Sequence, residues 1–356
     1  METVPIPFVR PIAAAAVLAV VPLRAGAGQV SVLPPVPDAI GFAGAFVGVH
    51  GTQLIAGGGA NFPDGVLPWN GGKKVWHDRL FALDLGKPDA KWRAIGRLPE
   101  PNGYGVSLTL PEGILIIGGG GAARNFKKVT LLALREDEPV FEEYPALPVP
   151  LAQMAGALVG RKVHLCGGIE APGATRAVKA HWMLDLDERG KGWQELEALP
   201  AEGRILATAC AIGDAFFIAG GCSLAPDDVG KPKRSYLKEA WRYRKGKWAR
   251  LADLPRAAVA AASPAPVKED SFFIVSGDDG MQTTLTSLAD HRGFTTEILR
   301  YDAADNRWSR SGELEVPPPV TLPTAPWKDG YVFFNGEVKP GVRTSAVFLF
   351  TPEPRP

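Results

Sequence analysis

Short apolar runs that end in paired glycines recur along the chain. They are Leu54-Ile-Ala-Gly57-Gly58, Leu115-Ile-Ile-Gly118-Gly119, His164-Leu-Cys-Gly167-Gly168 and Phe217-Ile-Ala-Gly220-Gly221. Two looser copies follow, Phe273-Ile-Val-Ser276-Gly277 and Val332-Phe-Phe-Asn335-Gly336. Successive copies lie 61, 49, 53, 56 and 59 residues apart, which defines six units. A second landmark keeps step: Trp92, Phe141, Trp193, Trp248 and Trp308 each stand six residues before a leucine (Leu98, Leu147, Leu199, Leu254, Leu314), four of them in Leu-Pro. Between the two landmarks lies a further strand-like run, such as Arg79-Leu-Phe-Ala-Leu-Asp84 or Leu299-Arg-Tyr-Asp302. Each unit therefore predicts four short strands.

Two landmarks in phase over six units resemble the kelch repeat, across roughly residues 29–350. That resemblance implies an all-β, six-bladed kelch-type β-propeller, in which a sheet that cannot bury its faces alone packs radially against two neighbours. The sixth unit ends after residues 344–350 without its outer strand. Val30, six residues before Val36-Pro37, carries the missing piece, so the N-terminal strand is expected to pair with the last blade and close the ring.

Composition narrows the class. The 41 Gly and 33 Pro suit strands joined by turns, and 39 basic against 38 acidic residues give a net charge of +1, without the surplus that nucleic-acid binding requires. Residues 11–23 are an apolar run, preceded by Arg10 and followed by Arg24 and then Ala25-Gly26-Ala27. The run is too short to span a bilayer and fits a signal peptide over residues 1–27, so a periplasmic or secreted propeller over residues 28–356 is expected. The three cysteines form no CxxC pair and read as buried thiols, although Cys210 and Cys222 could bridge a hairpin. The five histidines lack ligand spacing, so no metal is expected.

Strand alternation places the loops after the diglycines on one face, together with the loops leading into each next unit. Residues 61–74, 223–235, 278–293 and 337–343 are the long irregular segments there, joined by Asn102, Tyr104, Gln153, Arg204 and Arg256. The sharpest local signal is Asn335-Gly336-Glu337-Val338-Lys339-Pro340-Gly341-Val342-Arg343-Thr344, whose bland reading is a surface turn with an ion pair. Gly57 to Pro63 with Gly71-Gly72-Lys73-Lys74 is the second, and it lacks the Gly-Lys-Ser/Thr of a P-loop. Nine Lys/Arg occupy residues 231–250, of which Arg234 is the one placed to reach the channel.

These loops resemble the bacterial N-acetylneuraminate epimerase (sialic acid mutarotase) family. The likeness rests on Asn335-Gly-Glu-x-Lys-Pro-Gly-x-Arg-Thr344, Gly57-Gly-x-Ala60 with Phe62, Lys73-Lys74 and Tyr104-Gly-Val-Ser107. The order of these blades implies a cyclically permuted branch. The resemblance makes Glu337 the proton acceptor of a cofactor-independent carbohydrate isomerase, with Arg343 and Arg234 clamping a sugar carboxylate. Asn61, Phe62, Lys73, Tyr104, Gln153 and Arg204 would hold the remaining substituents. Asn70 stands where an acidic residue is expected, leaving Asp64 as a substitute. The alternative is a non-catalytic kelch propeller that binds a glycan or a protein. Tyrosine and histidine placement disfavours a copper oxidase, and the absence of Ser-x-Asp-x-Gly-x-Thr-Trp repeats disfavours a sialidase.

Overall fold

The computed structural model describes residues 23–25, 28–285, 287 and 290–354. Most of the expected signal peptide lies outside the described residues, and Leu23–Ala25 pairs with Gly28–Leu33. The described chain is all-β apart from two single-turn 3-10 helices, Pro68–Asn70 and Arg189–Lys191. Its strands form six antiparallel sheets of four or five strands and three two-stranded ribbons, a propeller-like arrangement. No described helix is long and apolar enough to cross a membrane.

The second strand of each sheet is mostly apolar because both of its faces are largely buried. Phe216, for example, faces the third sheet while Phe217 faces the fifth. Phe272 and Phe273 divide in the same way, as do Phe333 and Phe334. Among the described residues, six of the seven core clusters each span two neighbouring sheets, and one of these groups Val332 and Phe334 of the sixth sheet with Val47 and Leu54 of the first.

The tryptophan landmark has a physical cause. Each indole N–H crosses a seam to a carbonyl of the preceding sheet or its flank: Trp92 to Pro34 at 2.7 Å, and Trp193 to Pro145, Trp248 to Glu197 and Trp308 to Ala252 at 2.8 Å. Phe141 has no such donor, and in that seam Arg93 bonds the Asp137 carbonyl and carboxylate instead. Residues Gly28–Leu33 pair with Val347–Pro352, setting Val30 opposite Phe350.

The paired glycines turn the chain out of each second strand through two successive left-handed residues, for example Gly220 (φ 63°) and Gly221 (φ 79°). Ser276 and Asn335 hold the first of these positions in the last two sheets, with φ 64° and 55°. In the first sheet the turning pair is Gly58-Gly59, one residue later than the repeat spacing places it. Gly57 is the last strand residue there, paired with Phe46.

One residue per sheet approaches the centre: Gly44, Tyr104, Gln153, Leu206, Ala260 and Thr321, all left-handed with φ between 54° and 63°. The amide of each donates to the carbonyl of the one before, and Gly44 donates to Thr321, at 2.7–3.0 Å. The six bonds form a closed circle. Five of the six are not glycine, and such a conformation costs about 1–3 kcal/mol each, so the surrounding structure must enforce it.

Candidate functional site

Three ribbons rise from the turning pairs above this circle. They are Ala60–Asn61 with Val75–Trp76, Cys222–Pro226 with Pro232–Tyr236, and Glu337–Lys339 with Val342–Arg343. Together with the fifth sheet's loop they wall a cavity of about 340 Å3. Its ionisable lining is Lys74, Tyr104, Arg234, Tyr236, Asp278, His291, Glu337 and Arg343.

Glu337 and Arg343 face each other across a hairpin, a pairing that Pro340 and Gly341 permit. Arg343 Nη1 donates to Glu337 Oε2 at 2.6 Å, and the Gly341 amide donates to the same oxygen at 2.9 Å. Arg343 is committed further: its Nε donates to the Ala60 carbonyl at 3.4 Å, and its guanidinium lies 5.0 Å from the Phe62 ring centre. The Asn-Gly-Glu turn and the Ala60 to Phe62 segment therefore share one rim. Arg234 lines the cavity, is exposed, and has no ion-pair partner among the described residues.

The fifth sheet supplies the opposite wall. Tyr236 Oη donates to Asp278 Oδ2 at 2.6 Å, and the Gly280 amide donates to Oδ1 at 3.0 Å. Burial, and then the bond to Asp278, raise Tyr236 above the ordinary phenol range. His291 is lowered, chiefly by burial.

Of the residues expected from sequence, the cavity gathers Glu337, Arg343, Arg234, Tyr104 and Gln153. Four others are placed elsewhere. Asn61 is a buried strut, its Nδ2 donating to the Gly41 carbonyl at 3.0 Å and its Oδ1 2.7 Å from His77 Nε2. Phe62 is buried beneath Arg343 and does not line the cavity. Arg204 is fully buried, bonded to Glu239 at 2.7 Å and to the Gly220 carbonyl at 3.3 Å. Asn102 and Arg256 likewise hold the turning carbonyls of Gly118 and Ser276. Lys73 is exposed and outside the cavity, whereas the next residue, Lys74, lines it. Asp64 and Asn70 are exposed and outside the cavity.

Although the sequence reading names its neighbour Lys73, Lys74 lines the cavity. Its Nζ lies 4.1 Å from the Tyr104 ring centre and 4.7 Å from that of Trp76. Burial lowers the ammonium to about 8, with repulsion from Arg343 and Arg234 adding to it and Glu337 opposing. Burial also raises Tyr104 above the phenol range. Asp278 was missed although the repeat marks it: it follows Ser276-Gly277 as Glu337 follows Asn335-Gly336. The equivalent bridges Val259 to Asp278 and Val320 to Glu337 show the match.

The three cysteines are free and buried, and Cys210 and Cys222 are not bridged. No cluster of three or more potential metal-ligating side chains occurs among the described residues.

Residues 29–139 match a family model described as N-acetylneuraminate epimerase. A protein of that name from Yersinia pestis (strain Pestoides F) is 38% identical over 116 residues, 27% of this chain and 29% of the relative. One from Yersinia enterocolitica is 24% identical over 233 residues, 58% of this chain and 57% of the relative. The chain thus spans less than a third of the first relatives and over half of the second. A solved structure described as "Structure of YjhT" superposes with a TM-score of 0.67 at 17% identity, covering 90% of this chain and 97% of its own. The fold is therefore that of YjhT, and the likeness to the N-acetylneuraminate epimerase family is carried in sequence by residues 29–139.

Proposed function

We propose that this chain is a mutarotase that interconverts the anomers of N-acetylneuraminate or a closely related sugar acid. The observation that carries the reading is the Glu337–Arg343 pair set in a cavity with a small positive surplus. Lys74, Arg234 and Arg343 against Glu337 and Asp278 give three minus two, or +1, which suits one sugar carboxylate. At about 340 Å3 the cavity lies at the small end of ligand sites, with room for a single substituted sugar ring.

In the proposed reaction the Glu337 carboxylate accepts the anomeric hydroxyl proton. The bond from anomeric carbon to ring oxygen breaks, its electron pair goes to the ring oxygen, and that oxygen takes a proton. The exposed carbonyl carbon presents its other face and the steps reverse. Arg343 fixes Glu337, and Arg234 holds the carboxylate. Exchange NMR on N-acetylneuraminate tests this: Glu337→Gln should lower the catalysed anomer exchange by at least about 10²-fold. An unaltered spontaneous rate with wild-type protein on every sugar acid tried would sink the reading.

The reading includes a ring of six blades closed by residues 28–33, supported by the six sheets and the pairing of Val30 with Phe350. It also includes a cyclic permutation relative to the family, and export after removal of residues 1–27. The intact mass of protein recovered from the periplasm or medium reads that cut.

A further inference from the structure

Ring opening needs a proton on the ring oxygen as well as a base at the anomeric hydroxyl, and the cavity lining limits what can supply it. Arg234 and Arg343 do not release protons near neutrality. Asp278 accepts a hydrogen bond at each oxygen, from Tyr236 Oη at 2.6 Å and the Gly280 amide at 3.0 Å, so it is arranged as an acceptor. The Tyr236 proton is held by Asp278, and burial makes the Tyr104 phenol a poorer acid than usual. The His291 Nδ1 accepts from the Gly293 amide at 3.1 Å, and burial keeps the ring neutral. One donor remains.

We propose that Lys74 is the catalytic acid of this site, giving its proton to the ring oxygen while Glu337 takes the anomeric one. The inference rests on the mutarotase reading. The Lys74 ammonium has no carboxylate partner among the described residues and lies between the Trp76 and Tyr104 rings. Lys74 and the base face the same cavity. Tyr104 underlies Lys74 and lines the cavity with Arg343, and Arg343 bonds Glu337 at 2.6 Å. The charged groups acting on Lys74 are Arg343, Glu337 and Arg234. Their sum, with burial, places the amine near the pH at which one group can both give and regain a proton. Opening turns Lys74 into a neutral amine and Glu337 into the acid. Closure returns both protons, so turnover changes neither group.

The test is the pH profile of exchange, measured by NMR with the spontaneous rate subtracted. Wild type should lose activity on an alkaline limb near pH 8. Lys74→Arg keeps the charge without a transferable proton. It should be about 10²- to 10⁴-fold slower and lack that limb, with its thermal unfolding unchanged. Lys74→Cys alkylated with bromoethylamine restores a less basic amine and should recover exchange with the limb moved to lower pH. Retention of rate and limb in Lys74→Arg, while Glu337→Gln is inactive, overturns the proposal but leaves the mutarotase reading intact. Capture of substrate on Lys74 by cyanoborohydride also overturns it, by assigning an imine role. If wild type accelerates no exchange, both fall.

Discussion

The His164–His181 pair makes the stability of this protein depend on pH. The two imidazoles touch at 2.9 Å, Nδ1 to Nε2, and pack on Phe216 at 5.4 and 5.5 Å. Burial pulls His164 down to about 4, and burial with the neighbouring ring pulls His181 to about 3. Unfolded, each titrates near about 6.5. Because the folded values are depressed, the native state benefits from the neutral pair above the unfolded value. It loses that benefit as pH falls, when the unfolded chain binds protons that the folded one refuses. Between pH 7 and pH 5 the loss is about 2 kcal/mol per imidazole, or about 4 kcal/mol for the pair. Urea unfolding at the two pH values measures it, with the double variant His164→Leu/His181→Leu as reference. The double variant keeps every other titrating group and should be less sensitive to acid by that amount. Equal losses in the two proteins would refute the reasoning.

Two substitutions probe the framework. Gly336→Ala sets a Cβ 2.5 Å from the Val320 carbonyl oxygen at φ 102°, so it should cost about 1–3 kcal/mol and displace Glu337. Thermal unfolding and exchange rate should then fall together. Trp308→Phe removes the 2.8 Å bond to the Ala252 carbonyl and leaves that oxygen unpaired, a loss of about 1–3 kcal/mol readable as a lower urea midpoint.

What sequence could and could not reveal follows from the range of the forces involved. Paired glycines were legible because two consecutive left-handed residues are a local backbone demand, and the tryptophans because each makes the same seam bond. Glu337 and Arg343 were legible as a pair because six residues and a tight turn bring them together. The triple glycine at Gly57 hid a one-residue shift that only the pairing of Phe46 with Gly57 settles. Naming Lys73 rather than Lys74 is a one-residue difference that reverses the face, since exposure alternates from Lys73 through Trp76. Arg204 was misjudged because its partner Glu239 lies 35 residues away, a distance no local pattern reports.

The circle of amides through Gly44, Thr321, Ala260, Leu206, Gln153 and Tyr104 bears on how the molecule comes apart. A row of stacked modules frays from its outermost members, which have one neighbour each. A loop of hydrogen bonds has no outermost member. Prising away any sheet severs two links of the loop and two hydrophobic seams together, so partly melted forms gain little entropy for what they forfeit. Groups as distant in the chain as Lys74 and Arg343 are thereby kept or lost in a single event, and heating should abolish ligand binding and native structure at the same temperature.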